Sequence, residues 1–145
     1  MAKPDPALLD PARYPFHCTL ETRYRDLDSN LHINNGVMAS LLEEARVRYH
    51  RASGFSDLCG ELAMTMMVAS ITIDFLGESL FPDPLEMHVA CGHAGRTSTR
   101  LSQLATQGGK VVVYSESVLV CVKDSRPVEI PAAFRESLPA WMLRP

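Results

Sequence analysis

Only one stretch of this 145-residue chain keeps a helical period for more than a few turns, and that fact narrows the fold more than any other. Between Gly36 and Gly54 the residues Met38, Leu41, Leu42, Ala45, Tyr49 and Ala52 recur at three- and four-residue spacing and make one apolar stripe. Arg46, Arg48, His50 and Arg51 fall mostly elsewhere, and Gly54 is a natural stop. A helix this apolar along one side must be covered, and the rest of the sequence offers strands to cover it.

Those strands read in order. Phe16, Cys18, Leu20, Thr22 and Tyr24 alternate with His17, Thr19, Glu21, Arg23 and Arg25, which predicts a strand with one buried face. After the helix, residues 56–62 form a connector that could hold a short helical turn. The chain from Met64 onward is strand-like, with Ile71, Ile73 and Phe75 alternating against Ser70, Thr72 and Asp74. Gly77, Pro82 and Pro84 demand a turn. Leu85 to Cys91 is a short strand and residues 92–96 the next turn. Thr97 to Thr106 alternates again, except that Leu101 and Leu104 fall on opposite faces. Gly108-Gly109 is a hairpin signal, and Lys110 to Val122, rich in Val and Tyr, predicts a central strand. Pro127 and Pro131 end the sheet, and residues 132–138 can make a turn or two of helix. Consecutive strands around one helix imply an α+β fold, a single domain over residues 1–145, with an antiparallel sheet of about five strands wrapped around the helix. Four prolines in residues 1–15 predict an extended N-terminal arm.

Composition excludes several function classes. A hydrophobic content of 46% and a charged content of 21% are those of an ordinary soluble domain. A net charge of -3 argues against nucleic acid as a partner held by bulk charge. No apolar run approaches the roughly 18 residues that span a bilayer, so no membrane partner is expected. The N-terminus has no apolar signal core. Cys18, Cys59, Cys91 and Cys121 are far apart with no C-x-x-C, which predicts free thiols in a reducing, cytoplasmic setting.

The chemistry is concentrated in the loop before the helix, which holds Asp26, Asp28, Asn30, His32, Asn34 and Asn35. Asp and Asn favour such loops because their short side chains bond nearby backbone. A carboxylate here lies beside the unpaired N–H groups of a helix start, an arrangement that can polarise a carbonyl oxygen while the carboxylate acts on its carbon. Asp26, Asp28 and Asn30 match the first, third and fifth positions of a calcium loop. Leu31 then stands where that loop needs glycine and Val37 where it needs glutamate, so no calcium site is expected. A transition-metal site from Asp26, Asp28 and His32 is the weaker alternative, and neither metal nor cofactor is expected.

Asp26-Leu27-Asp28, His32, Asn34-Asn35 and the helical Glu43-Glu44-Ala45-Arg46 together resemble the signature of hotdog-fold acyl-CoA thioesterases of the 4-hydroxybenzoyl-CoA thioesterase-like group. The resemblance extends over about Phe16 to Leu138. It touches Gly95-Arg96-Thr97-Ser98 and the run from Arg126 to Pro131. Leu31 stands where the family often has glycine, and Met38 where it often has an aromatic residue.

The resemblance implies a hotdog fold and hydrolysis of an acyl-CoA to free acid and CoA. Asp28 would be nucleophile or general base. His32 would order the loop or substrate, or protonate the leaving thiolate. An oxyanion hole would lie at Asn35 and Gly36. Asn34, Arg96, Thr97 and Ser98 would contact substrate. Arg100, Lys110, Lys123 and Arg126 join Arg96 as candidates for the CoA phosphates. Glu44 with Arg48 suits a surface pair, while Glu43 stays open as a helical acid. Met64 to Val68 and the helix face could line an acyl tunnel. A homodimer or homotetramer is implied, with active sites between subunits. The alternatives are a thioesterase acting on acyl-carrier protein and a non-catalytic acyl-CoA-binding protein.

Overall fold

The computed structural model describes residues 3–145. Strand β1 (Phe16–Leu20) leads through the polar loop to helix α1 (Asn35–Ala52) and a short α2 (Phe55–Glu61). Strands β2 (Thr65–Phe75), β3 (Leu85–Ala94), β4 (Ser98–Gln107) and β5 (Lys110–Lys123) follow, then a two-residue β6 (Arg126–Pro127) and α3 (Ala132–Ser137). The sheet runs β1-β3-β4-β5-β2, antiparallel throughout, with β6 paired to the end of β5. This is the hotdog arrangement, a sheet wrapped on one long helix. No helix among the described residues is long and apolar enough to cross a membrane.

The helical stripe is buried as its spacing requires. Leu42, Ala45 and Tyr49 are fully buried and Met38 nearly so. They share one core with Leu85, Met87 and Val89 of β3 and Leu101 and Ala105 of β4. Each large apolar side chain so enclosed contributes roughly 1.5–3 kcal/mol. Ala52, assigned to the same stripe, is exposed, because α1 ends there.

The helical spacing predicts Arg46 off the buried face, yet only 4% of it is exposed. Its Nη1 donates to Gln103 Oε1 at 3.1 Å, and Gln103 Nε2 donates to the Leu42 carbonyl at 2.9 Å. A β4 side chain thus serves a guanidinium and a helix carbonyl in one place.

Leu101 and Leu104 are both buried because both faces of β4 are covered. Leu101 faces α1, while Leu104 packs with Tyr14, Ala90 and Tyr114 on the outer face. The cover there is the N-terminal arm. It is not simply extended: residues Pro6–Leu9 and Pro11–Arg13 form single 3-10 turns capped by Asp5 and Asp10. Proline at the first position of a helical turn gives up a donor that has no partner anyway, so the prolines start turns here rather than prevent them. The Tyr14 hydroxyl donates to the Leu8 carbonyl at 2.7 Å. Arg13 and Arg144 exchange two hydrogen bonds, joining arm to C-terminal tail.

Candidate active site

The predicted first strand stops at Leu20, and Tyr24–Asp26 is a 3-10 turn that leaves Tyr24 71% exposed. Asp26 causes this break. Its carboxylate accepts from the Arg23 backbone N–H at 2.9 Å and from Arg23 Nε and Nη2 at 3.1 and 2.9 Å. Asp26 is buried, and its carbonyl accepts from the Asn34 N–H. Its oxygens are therefore spent on structure, and Asp26, Asp28 and His32 do not converge on a metal position.

Asp28 is different. Its Oδ1 accepts from the N–H groups of Asn30 at 2.8 Å and His32 at 3.2 Å. Its own N–H donates to the His32 carbonyl at 2.8 Å. The side chain is half-buried, and among the described residues its second oxygen has no partner. One oxygen fixes the carboxylate and the other is left unengaged. The tight turn this requires puts Leu31 at φ 61, the left-handed region that favours glycine.

Helix α1 begins beside this turn, because Leu27 bridges Ile33 and Asn34 N–H bonds the Asp26 carbonyl. Asn34 is its N-cap, accepting from Gly36 N–H at 2.8 Å and Val37 N–H at 3.3 Å through Oδ1. The Gly36 N–H, expected to help hold an oxyanion, donates to the cap in this structure. Among the described residues the Asn35 N–H has no partner, so the open donor of the helix start is that of Asn35 alone. The expected substrate contact from Asn34 is likewise limited to its amide nitrogen.

One participant was missed by sequence reasoning. Glu78 Oε2 lies 3.6 Å from His32 Nε2. It is carried by the loop after β2, which is pinned by Ile33 N–H to the Ser79 carbonyl and by three Gln107 hydrogen bonds to Leu80 and Asp83. Nothing local in LGESLFPDP marks Glu78, since only the tertiary fold brings that loop to His32. A cleft of about 480 Å³ opens there, lined in part by Glu78, Asp83, Gln107 and Lys110.

The expected substrate contacts Arg96, Thr97 and Ser98 are not brought to Asp28. They lie at the β3–β4 connection, whereas Leu20, ahead of the Asp28 loop, pairs with Leu85 at the other end of β3. Nine residue steps separate the two ends, about 30 Å along the strand. Arg96 pairs with Glu129 at 3.3 Å and stays exposed. Lys123 and Arg126 share that distant end, and Arg100 pairs with Glu116. Glu44 bonds Arg48 at 3.0 Å, an ordinary surface pair, and Glu43 is exposed.

Comparison with known proteins fits this arrangement. Residues 22–138 match the thioesterase-like superfamily. The chain belongs to that superfamily. A Thermus thermophilus thioesterase, crystallised with coenzyme A and Zn, is 32% identical. It aligns over 92% of this chain and 98% of its own with a TM-score of 0.81. The Pseudomonas aeruginosa protein PA5185 is 26% identical over 91% of this chain and 94% of its own, with a TM-score of 0.80. A DHNA-CoA thioesterase from Staphylococcus aureus shares the fold at 18% identity and a TM-score of 0.74, over 86% of this chain and 87% of its own. No match is found among curated proteins. Membership of the thioesterase-like superfamily and the 32% identical thioesterase support thioester hydrolysis as the general activity of this chain.

Proposed function

We propose that this protein hydrolyses acyl-CoA thioesters with Asp28 as the reacting carboxylate. The observation that carries the reading is the split role of that side chain, one oxygen tied to two backbone N–H groups and the other unengaged beside an open helix N-terminus. The free oxygen either takes a proton from the water that attacks the thioester carbon, or attacks that carbon itself, giving after loss of the thiolate an anhydride that water hydrolyses to the free acid and the regenerated carboxylate. Negative charge develops on the carbonyl oxygen, where the Asn35 N–H and the partial positive charge of the α1 start stabilise it. Collapse of that intermediate breaks the C–S bond. A thiolate with an ordinary pKa of about 8.5 leaves without a strong acid. In this reading His32, 3.6 Å from Glu78, returns a proton to the sulfur. The coenzyme A bound by the Thermus relative supports CoA as the leaving group.

The test is Asp28→Asn, which keeps the shape and loses both chemical roles. Turnover on a panel of acyl-CoAs is expected to fall by roughly 10² or more with KM nearly unchanged. Near-normal turnover in a folded Asp28→Asn protein would sink the assignment.

Assembly belongs to the same reading. Strand β2 is an edge with no lysine, arginine or proline, guarded only by Asp74. Directly opposed residues share a sheet face, so Val68, Ile71 and Phe75 lie on the helix side with Leu119, Ser117 and Val113, yet 41–50% of each is exposed because α1 does not reach them. Natural edges usually carry charge or proline to prevent pairing, and this one invites it. Antiparallel pairing of two β2 edges about a two-fold axis would complete the face. It would also set the Arg96–Ser98 end of one subunit beside the Asp28 end of the other. The separation of about 30 Å within one chain is thereby removed.

A further inference from the structure

We propose that the outer face of the sheet carries a metal site, in which the cross-strand pair His17 and His88 chelates one divalent ion of the copper or nickel kind and staples the edge strand β1 to β3. The pair lies on the opposite side of the sheet from α1 and at the opposite edge from β2, so neither the hydrolase reading nor subunit pairing bears on it.

Register places the two histidines. His17 of β1 stands directly opposite His88 of β3. Phe16 and Cys18 pack toward the core on β1, and Met87 and Val89 do so on β3. Side chains alternate along a strand, so His17 and His88 both project from the outer face, with Cβ atoms about 4.5–5.5 Å apart. Their ring centroids are 6.2 Å apart and their planes within 29° of parallel. Two imidazoles on one ion, with metal–nitrogen bonds of roughly 2.0–2.1 Å, hold their centroids about 4.5–6 Å apart. His17 is exposed and makes no hydrogen bond among the described residues, so a small rotation of its side chain closes the difference.

His88 is the fixed partner. Its Nε2 lies 3.3 Å from Thr106 Oγ1, and Tyr14 packs edge-on against its ring with centroids 6.3 Å apart. Tyr14 is itself held, being buried with its hydroxyl donated to the Leu8 carbonyl. With Nε2–H donated to Thr106, Nδ1 carries the lone pair, and a metal-ligating histidine commonly donates its second nitrogen in this way. Burial first and repulsion from His17 second push the His88 pKa down, against a smaller upward pull from Glu86, so the ring is neutral at pH 7.

The neighbours set the class of metal. Thr19 and Glu86 are the next opposed pair on this face, and Thr19 Oγ1 lies 2.9 Å from both Glu86 carboxylate oxygens. Glu86 thereby stays beside the histidines as a compensating negative charge. Among the described residues no third His, Cys, Asp or Glu joins the pair, so water fills the remaining positions. Cys18 and Met87 turn their sulfurs to the core side of the sheet. Two imidazole nitrogens with water oxygens suit Cu(II) or Ni(II), and Cu(II) binds such donors most tightly of the first-row divalent ions. Strand β1 is five residues long and paired on one side only, so a cross-strand chelate adds a second tie to its single ladder.

Copper(II) titrated into the full chain is expected to bind saturably, one ion per subunit, with an electron paramagnetic resonance spectrum showing coupling to two imidazole nitrogens. His17→Gln and His88→Gln are each expected to weaken binding at least tenfold and to remove one nitrogen coupling. His17→Gln carries little risk to the fold, because the side chain is exposed. Nickel(II) is expected to raise the wild-type Tm by a few degrees and to leave His17→Gln unmoved. Wild-type protein that takes up no ion saturably overturns the site. Binding that survives in both variants, or that is lost instead in His32→Gln or His93→Gln, overturns its placement on β1 and β3. Binding by the wild type with no rise in Tm overturns the stapling role.

Discussion

Leu31 holds a left-handed backbone at φ 61 while 62% exposed, so its side chain gains little packing in return. That conformation costs a non-glycine residue roughly 1–2 kcal/mol, against which glycine loses up to about 1 kcal/mol through the unfolded chain. Leu31→Gly is therefore expected to raise stability by up to about 1 kcal/mol, or a few degrees in Tm, with the Asp28 turn unchanged. A lower Tm would show that Leu31 makes a contact worth more than the strain. His50 makes a second residue-level case. Burial, then the nearby Arg46 charge, push its pKa down to about 4 in the fold against 6.5 for a free histidine. The stability it gives is complete above pH 6.5 and drains away as pH falls toward 4, because the unfolded chain takes up the proton first. Urea unfolding at pH 7.5 and 4.5 is expected to show wild type losing ~1–2 kcal/mol more than His50→Phe, allowing for partial solvent access. Equal losses would mean the ring is solvated. At this scale the sequence was informative where the contacts are local. The Asp28 turn and the Asn34 cap join residues two to four apart, and their residue types announce them. His32 and Glu78 are separated by 46 positions, and no local pattern relates them.

At the scale of elements, the strands and α1 were legible because period and burial agree. The exceptions have definite causes. The alternation through Tyr24 was misleading because Asp26 and Arg23 close a turn that ends the strand early. The arm departs from an extended form because its prolines start turns rather than break them. Arg46 is buried although charge usually marks the solvent face, and Gln103, 57 residues away, is what admits it. That pair makes a prediction. Gln103→Leu strands a buried guanidinium without its acceptor and also removes the donor to the Leu42 carbonyl, so a loss of about 3 kcal/mol or more is expected from chemical denaturation. Adding Arg46→Met should recover much of it, since an apolar pair of similar volume has no polar group to leave unpaired. Failure of the double variant to recover would mean the two side chains act independently.

For the whole molecule, the sequence indicated a sheet wrapped on one helix, and the structure has that form. The partner left no such trace. The period-two pattern of β2 reads the same whether its apolar face meets a core or a second subunit, and only the exposure of Val68, Ile71 and Phe75 separates the two cases. Ile71 sits mid-strand on that face, opposite Ser117 of β5, with 41% of its surface exposed. In an antiparallel two-fold pair, residues near the strand centre lie close to the axis and meet their own copies. Ile71→Lys would therefore bring two like charges together inside an apolar seam, while in an isolated subunit the same lysine could extend into water. Sedimentation at micromolar concentration is expected to show a dimer or larger assembly for the wild type and a monomer for Ile71→Lys. At fixed protein concentration Ile71→Lys is also expected to melt lower than wild type, because dissociation itself lowers apparent stability. Hydrolysis by the monomer is expected to fall at least tenfold, since the Arg96–Ser98 end of one subunit would no longer reach the Asp28 end of the other. A folded Ile71→Lys monomer with full activity would show that one subunit holds a complete site, and a wild-type monomer would remove the role given to β2.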